Sequence, residues 1–102
     1  WDKPASACLA SRFPYGEEIT HEALSKIEAA EQYLFNLGVR QVRVRYHRGI
    51  ARIETDDGGF ALLMGEKVRG EVDAKLKTLG FTYVSLDLQG YRTGSMNEKP
   101  PL

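Results

Sequence analysis

Six residues, Val42-Arg43-Val44-Arg45-Tyr46-His47, alternate apolar and polar side chains, and after Arg48-Gly49 the apolar phase resumes at Ala51, Ile53 and Thr55. A period of two sends successive side chains to opposite faces of a strand, so each run buries one face against a core. Two such runs separated by two residues, one of them glycine, form the pattern of a β-hairpin, although Asn-Gly or Asp-Gly is the stronger turn signal. With Arg48 and Gly49 as the loop, His47 falls opposite Ile50, Arg45 opposite Arg52 and Arg43 opposite Glu54. Arg43, Arg45, Arg52 and Glu54 then share the face turned away from the core. The rest of the chain has to cover the other face.

Thr20 is a good helix N-cap, Glu22 in the first turn suits the helix dipole, and Gly38 is placed as a C′ glycine. Between them Ala23, Ile27, Ala30, Leu34 and Leu37 recur at spacings of four and three, which predicts one helix with one buried stripe. Asp56-Asp57-Gly58-Gly59 ends the hairpin. A short helix is expected over Phe60–Met64, stopped by Gly65. A second main helix follows over Glu66–Leu79, with Val68, Val72, Leu76 and Leu79 inward and Gly80 as its cap. Thr82 to Leu88 alternates again and predicts a third strand with Val84, Leu86 and Leu88 toward the core. Gly90–Asn97 reads as a loop.

The expected fold is α+β: a small antiparallel three-stranded sheet with two main helices on one face, in the order helix-strand-strand-helix-strand. The third strand is expected beside the first, as in a split βαβ unit. Residues 1–19 form a separate segment with Pro4, Pro14 and Gly16, residues 20–97 the α+β domain, and residues 98–102 a tail. A chain that opens on Trp1-Asp2-Lys3-Pro4 rather than methionine reads as processed or cut from a longer protein.

Several classes are excluded early. Fourteen basic residues balance fourteen acidic ones, which argues against a generic nucleic-acid binder. No apolar run approaches the ~18 residues of a membrane span and no signal peptide opens the chain, so a cytoplasmic protein is expected. Cys8 is the sole cysteine, which rules out an internal disulfide and a multi-cysteine zinc or iron–sulfur site. There is no GxxxxGK[ST] or GxGxxG loop to bind a nucleotide phosphate.

The charge that cancels globally is clustered locally. Arg40, Arg43, Arg45, Arg48 and Arg52 fall within thirteen residues that contain no acid, whereas Gly16–Glu31 carries five glutamates against Lys26. Arg45 directly opposite Arg52 is destabilising unless an anion compensates the pair. A bound phosphate or carboxylate would match the guanidinium fork; a solvated face with splayed side chains is the other reading. Asp87, on the non-core face of the third strand, can join this cluster. Cys8 reads either as an inert small hydrophobe or as a thiolate favoured by Arg12, with Ser11 and Arg12 as donors to an anion. Glu31 lies between Leu24 and Ile27 on the helical wheel, so its carboxylate either snorkels to solvent or needs a cation.

Lys3-Pro4-Ala5-Ser6-Ala7-Cys8-Leu9-Ala10-Ser11-Arg12-Phe13-Pro14-Tyr15-Gly16 resembles the cysteine motif of ATP-dependent sacrificial sulfur transferases of the LarE type. Arg40–Arg45 with Ala51–Glu54 is similar to their basic hairpin. Leu79-Gly80-Phe81, Leu86-Asp87-Leu88 and Gly90–Asn97 are similar to their C-terminal signature. The resemblance covers nearly the whole chain and implies the C-terminal half of such an enzyme, whose N-terminal PP-loop domain, absent from this chain, binds ATP and magnesium.

The implied reaction belongs to nickel-pincer nucleotide synthesis, which supplies the cofactor of lactate racemase. The substrate is pyridinium-3,5-biscarboxylic acid mononucleotide, adenylated on a carboxylate. Cys8 would attack the acyl-adenylate, release AMP and give up its own sulfur. A single cysteine places the sequence with the sacrificial kind and not with relatives that hold an iron–sulfur cluster. By the same resemblance Ser11, Arg12, Arg43 and Arg45 bind phosphate, and Glu31 and Glu54 are acid/base or metal residues, the metal being unspecified.

The expected partners are the nucleotide-like substrate, the PP-loop domain and further copies of the chain in a homo-oligomer, with no nucleic acid and no membrane. The fragment is not expected to be active without the ATP-binding domain. A non-catalytic anion-binding or oligomerisation module with an inert Cys8 is the alternative. A rhodanese-like persulfide enzyme would need an active-site loop that is not recognisable here.

Overall fold

A computed structural model describes residues 20–91. Cys8, Ser11, Arg12 and most of the expected C-terminal loop lie outside the described residues. The elements are α1 (His21–Leu37), β1 (Val42–His47), β2 (Ile50–Thr55), α2 (Asp57–Met64), α3 (Glu66–Thr78) and β3 (Tyr83–Leu86).

Helix α1 begins where the Thr20 hydroxyl accepts the Ala23 amide at 3.0 Å. It ends in a Schellman motif: Gly38, at φ 114°, donates to the Phe35 carbonyl, and Val39 donates back to Leu34. Helix α3 closes in the same way. Gly80, at φ 111°, donates to Lys77, and Phe81 donates to Leu76. In each motif the two residues bridged by the longer bond, Leu34 with Val39 and Leu76 with Phe81, are buried in the core. The chain reversal and the hydrophobic anchor are therefore one device, used twice.

The hairpin has the expected register, with Arg43 opposite Glu54, Arg45 opposite Arg52 and His47 opposite Ile50. Arg48 (φ 49°) and Gly49 (φ 88°) both sit at positive φ, as a type I′ turn requires. The apolar face of the sheet, formed by Val44, Ala51 and Ile53, packs with Ala23, Ile27, Ala30 and Leu34 of α1, Leu63 of α2, and Val72 and Leu76 of α3. All three helices thus lie over one face, as an α+β fold requires.

Three details depart from expectation. The third strand lies beside β2 and runs parallel to it, so the sheet is mixed, with order β1-β2-β3, and not antiparallel with β3 beside β1. The physical reason is the connection: α2 and α3 carry the chain back to the end where β2 began, and parallel neighbours need such a crossover. Pairing Ala51 with Val84 and Ile53 with Leu86 keeps one apolar face continuous.

Helix α2 starts at Asp57, three residues before the expected Phe60, because the Asp56 carboxylate caps it by accepting the Gly59 amide at 3.1 Å. Gly59 is needed here. A Cβ at that position would lie 2.7 Å from Val39 Cγ1 and 3.0 Å from Thr55 Cβ.

Strand β3 ends at Leu86, and Leu88, expected inward, is 85% exposed. Asp87 turns the chain: its carboxylate accepts the Gln89 amide at 2.8 Å and its carbonyl accepts the Gly90 amide. Among the described residues no helix is long and apolar enough to cross a membrane.

Candidate functional site

The face of the sheet opposite the helices carries Arg43, Arg45 and His47 from β1, and Arg52 and Glu54 from β2. Side chains two apart on a strand point the same way, so the alternation read from the sequence delivers them together. Arg45 and Glu54 are 1% and 0% exposed, as deeply buried as any residue of the hydrophobic core. Burying two charges is tolerable only when they are paired.

Glu54 divides its oxygens between two cations. Oε1 meets Arg45 Nη2 at 3.1 Å and Oε2 meets Arg52 Nη2 at 3.2 Å. Arg52 Nε in turn lies 3.5 Å from Asp87 Oδ2. The cross-strand arginine pair therefore has its compensating anion inside the protein: Glu54, diagonal to Arg45 and two residues from Arg52. Asp87, just after β3, joins the cluster as the alternation of its segment suggested.

Arg43 is held differently. Its Nε and Nη2 both donate to the Tyr91 hydroxyl oxygen, at 3.3 and 3.1 Å, and its guanidinium carbon lies 5.6 Å from the Tyr91 ring centroid. Tyr91 is fixed from behind, since its amide donates to the Thr55 carbonyl at 2.9 Å just beyond the turn at Asp87. Among the described residues three guanidiniums, Arg43, Arg45 and Arg52, and two carboxylates, Glu54 and Asp87, meet on this face. Of these three guanidiniums, Arg43 has no carboxylate partner among the described residues.

Glu31 is placed elsewhere. From the flank of α1 its Oε2 accepts the Val44 amide at 2.9 Å. Val44 is on β1, the first strand in the sheet order, so this amide is turned to the outer edge. A carboxylate reaching across from the helical layer satisfies it and blocks the edge to another strand. Neither the solvent reading nor the cation reading of Glu31 anticipated a main-chain partner. A shallow concavity beside it is lined by Glu28, Glu31, Gln32, Phe35, Arg40 and Val42. Among the described residues no three His, Cys, Asp or Glu side chains converge to hold a metal ion.

The structure thus assembles Arg43, Arg45 and Glu54 on one face and sets Glu31 at the strand edge. Arg40 is exposed before β1 and Arg48 is in the turn, both off this face. Tyr91 is the residue that reading the sequence missed. A tyrosine directly after a glycine was a visible signal, but its meeting with Arg43, 48 positions away, depends on where the Asp87 turn sends the chain.

No family model matches the chain. It is 48% identical over 97 residues to an uncharacterised protein of Synechocystis sp., covering 95% of this chain and 36% of that protein. It is 37% identical over 90 residues to an uncharacterised protein of Methanocaldococcus jannaschii, covering 88% of this chain and 34% of that protein. The chain spans about a third of the length of the curated relatives it matches. Over 100 residues, 96% of this chain and 35% of the relative, it is 46% identical to the pyridinium-3,5-bisthiocarboxylic acid mononucleotide synthase of Lactiplantibacillus plantarum.

Proposed function

We propose that this chain is the sulfur-donating part of a pyridinium-3,5-bisthiocarboxylic acid mononucleotide synthase. The observation that carries this reading is the 46% identity with the named synthase, which runs over 96% of the chain. The cluster of guanidiniums on this sheet face supports it, since the substrate is a phosphate monoester.

In this reading the Cys8 thiolate adds to the acyl carbon of the adenylated substrate carboxylate and AMP leaves with the bonding electrons. A base then removes the Cys8 α-proton. The Cβ–S bond breaks, sulfur departs as the thiocarboxylate of the product, and dehydroalanine remains in the chain. ATP and magnesium belong to a PP-loop domain and not to residues of this chain. Arg43, with Ser11 and Arg12, takes the substrate phosphate.

Arg45 has a more restricted part. Its Nη2 is committed to Glu54, so it supplies positive potential and any remaining donors from a fixed position. Glu54, with a guanidinium on each oxygen, is a positioning residue for Arg45 and Arg52. Glu31 holds the edge of β1 beside the site.

The test is the intact mass of the full enzyme after reaction with ATP, magnesium and substrate. Each chain that has transferred sulfur should lose the mass of hydrogen sulfide, with the change mapped to Cys8. Many turnovers per chain with Cys8 still a thiol would overturn the sacrificial reading. Unimpaired transfer by Cys8→Ser would favour the alternative, an anion-binding or oligomerisation module with an inert cysteine.

A further inference from the structure

We propose that Tyr91 is a positioning residue for Arg43 and the second donor of a phosphate subsite on the charged face. The inference rests on reading Arg43 as a phosphate-binding arginine and adds to it a residue and a geometry. A guanidinium offers two edges to planar acceptors: the side edge, formed by Nε–H and one Nη2–H, and the end edge, formed by Nη1 and the outer Nη2–H. Arg43 spends its side edge on one oxygen, the Tyr91 hydroxyl, at 3.3 and 3.1 Å. That chelation fixes the plane of the fork and leaves the end edge available for two oxygens of an anion.

The tyrosine is also left with something to give. Its oxygen accepts from Arg43, and among the described residues its own O–H finds no acceptor. The two side chains together present donors from neighbouring atoms, with no carboxylate on the Arg43 guanidinium among the described residues. A tetrahedral phosphate monoester, with several oxygens diverging from one centre, can take the fork and the phenol proton at once. Arg45 is less suited to this, because its Nη2 is committed to Glu54.

Pre-organisation comes from the main chain. The Asp87–Gly90 turn and the bond from the Tyr91 amide to the Thr55 carbonyl hold the ring before any ligand arrives. A flexible arginine ordered only on binding would lose affinity to the cost of immobilising it. Tyr91→Phe keeps the ring over the guanidinium and removes only the chelating oxygen and the spare proton.

The experiment is a calorimetric titration of the full enzyme with a nucleoside 5′-monophosphate and with the matching nucleoside. Arg43→Ala should weaken monophosphate binding by about a hundredfold and Tyr91→Phe by about tenfold, with nucleoside binding unchanged by either. In the Arg43→Ala background Tyr91→Phe should add little, because the hydroxyl acts largely through the fork. Arg43→Lys, which keeps the charge but loses the side edge, should fall between them and lose its sensitivity to Tyr91→Phe.

Wild-type affinity in Tyr91→Phe, with Arg43→Ala impaired, overturns the role of Tyr91 and spares the phosphate role of Arg43. Unchanged affinity in Arg43→Ala, or no monophosphate binding by the wild type, rejects that role and this proposal with it. Should Tyr91→Phe unfold, the Arg43→Lys variant decides: wild-type affinity there overturns the chelated geometry.

Discussion

The two faces of the sheet are equally dry at their centres and are held by opposite means. On one face Val44 and Ile53 sit under three helices, and any side chain of similar volume and polarity would be tolerated there at modest cost. On the other, Arg45 and Glu54 are buried to the same degree, and burial of either is tolerable only because it is paired, the two meeting at 3.1 Å. Burial driven by apolar area is forgiving. Burial of charge depends on partners and geometry. The helical face therefore tolerates conservative substitution, and the charged face does not.

Breaking the charge pair is the most severe test of this contrast. Glu54→Ala leaves Arg45 buried without its partner and should lower unfolding free energy by about 3–5 kcal/mol in denaturant titration. The double replacement Arg45→Met with Glu54→Leu should recover most of that loss, since a well-packed apolar pair is often as stable as a buried ion pair. A double variant as unstable as Glu54→Ala would show that packing, not desolvated charge, governs this face too.

On the helical face, Leu76→Ala removes a fully buried side chain at the α3 Schellman motif and should cost about 2–5 kcal/mol by the same measurement. Unlike Glu54→Ala, it should have no compensating partner substitution. Next in size, Gly59→Ala forces a methyl to within 2.7 Å of Val39 Cγ1 and should destabilise by about 1–3 kcal/mol. Less than 0.5 kcal/mol there would mean that α2 can shift away from Val39.

The smallest effect is expected at the sheet edge. Glu31→Gln keeps an oxygen for the Val44 amide but turns a charge-assisted bond into a neutral one, a loss of about 1 kcal/mol. Hydrogen exchange at the Val44 amide should quicken correspondingly. Equal protection in Glu31→Gln and Glu31→Ala would show that the carboxylate does not guard the edge. Loss of sulfur transfer with stability unchanged would return Glu31 to the chemistry.

Much of this was legible in the residues. The hairpin register follows from strict alternation and a two-residue turn, and it places Arg43, Arg45, Arg52 and Glu54 on one face. The caps at Thr20, Gly38 and Gly80 were equally readable, because capping is decided within a few residues. The Asp56 cap is hidden in the sequence because Asp56-Asp57-Gly58-Gly59 looks like a breaker and is also a helix start. Leu88 misled because alternation continues one step past the point where Asp87 turns the chain.

By itself the sequence determined which segments are helical or extended, which side chains share a face, and that the arginines crowd onto one of them. These are properties of neighbours within a few positions, fixed by the periods of helix and strand. The tertiary structure alone decided what compensates the arginines, which strand β3 joins, what Glu31 touches, and that Tyr91 holds Arg43. Each of these depends on segments far apart in the chain. Arg45, Arg52 and Glu54 lie within one hairpin, yet whether Glu54 bridges them depends on rotamers chosen in a buried space. Arg43 and Tyr91 are 48 residues apart and meet only because a crossover and a turn at Asp87 return the chain to the end of β2. Local pattern sets the orientation of each group; only the closed fold sets what it meets.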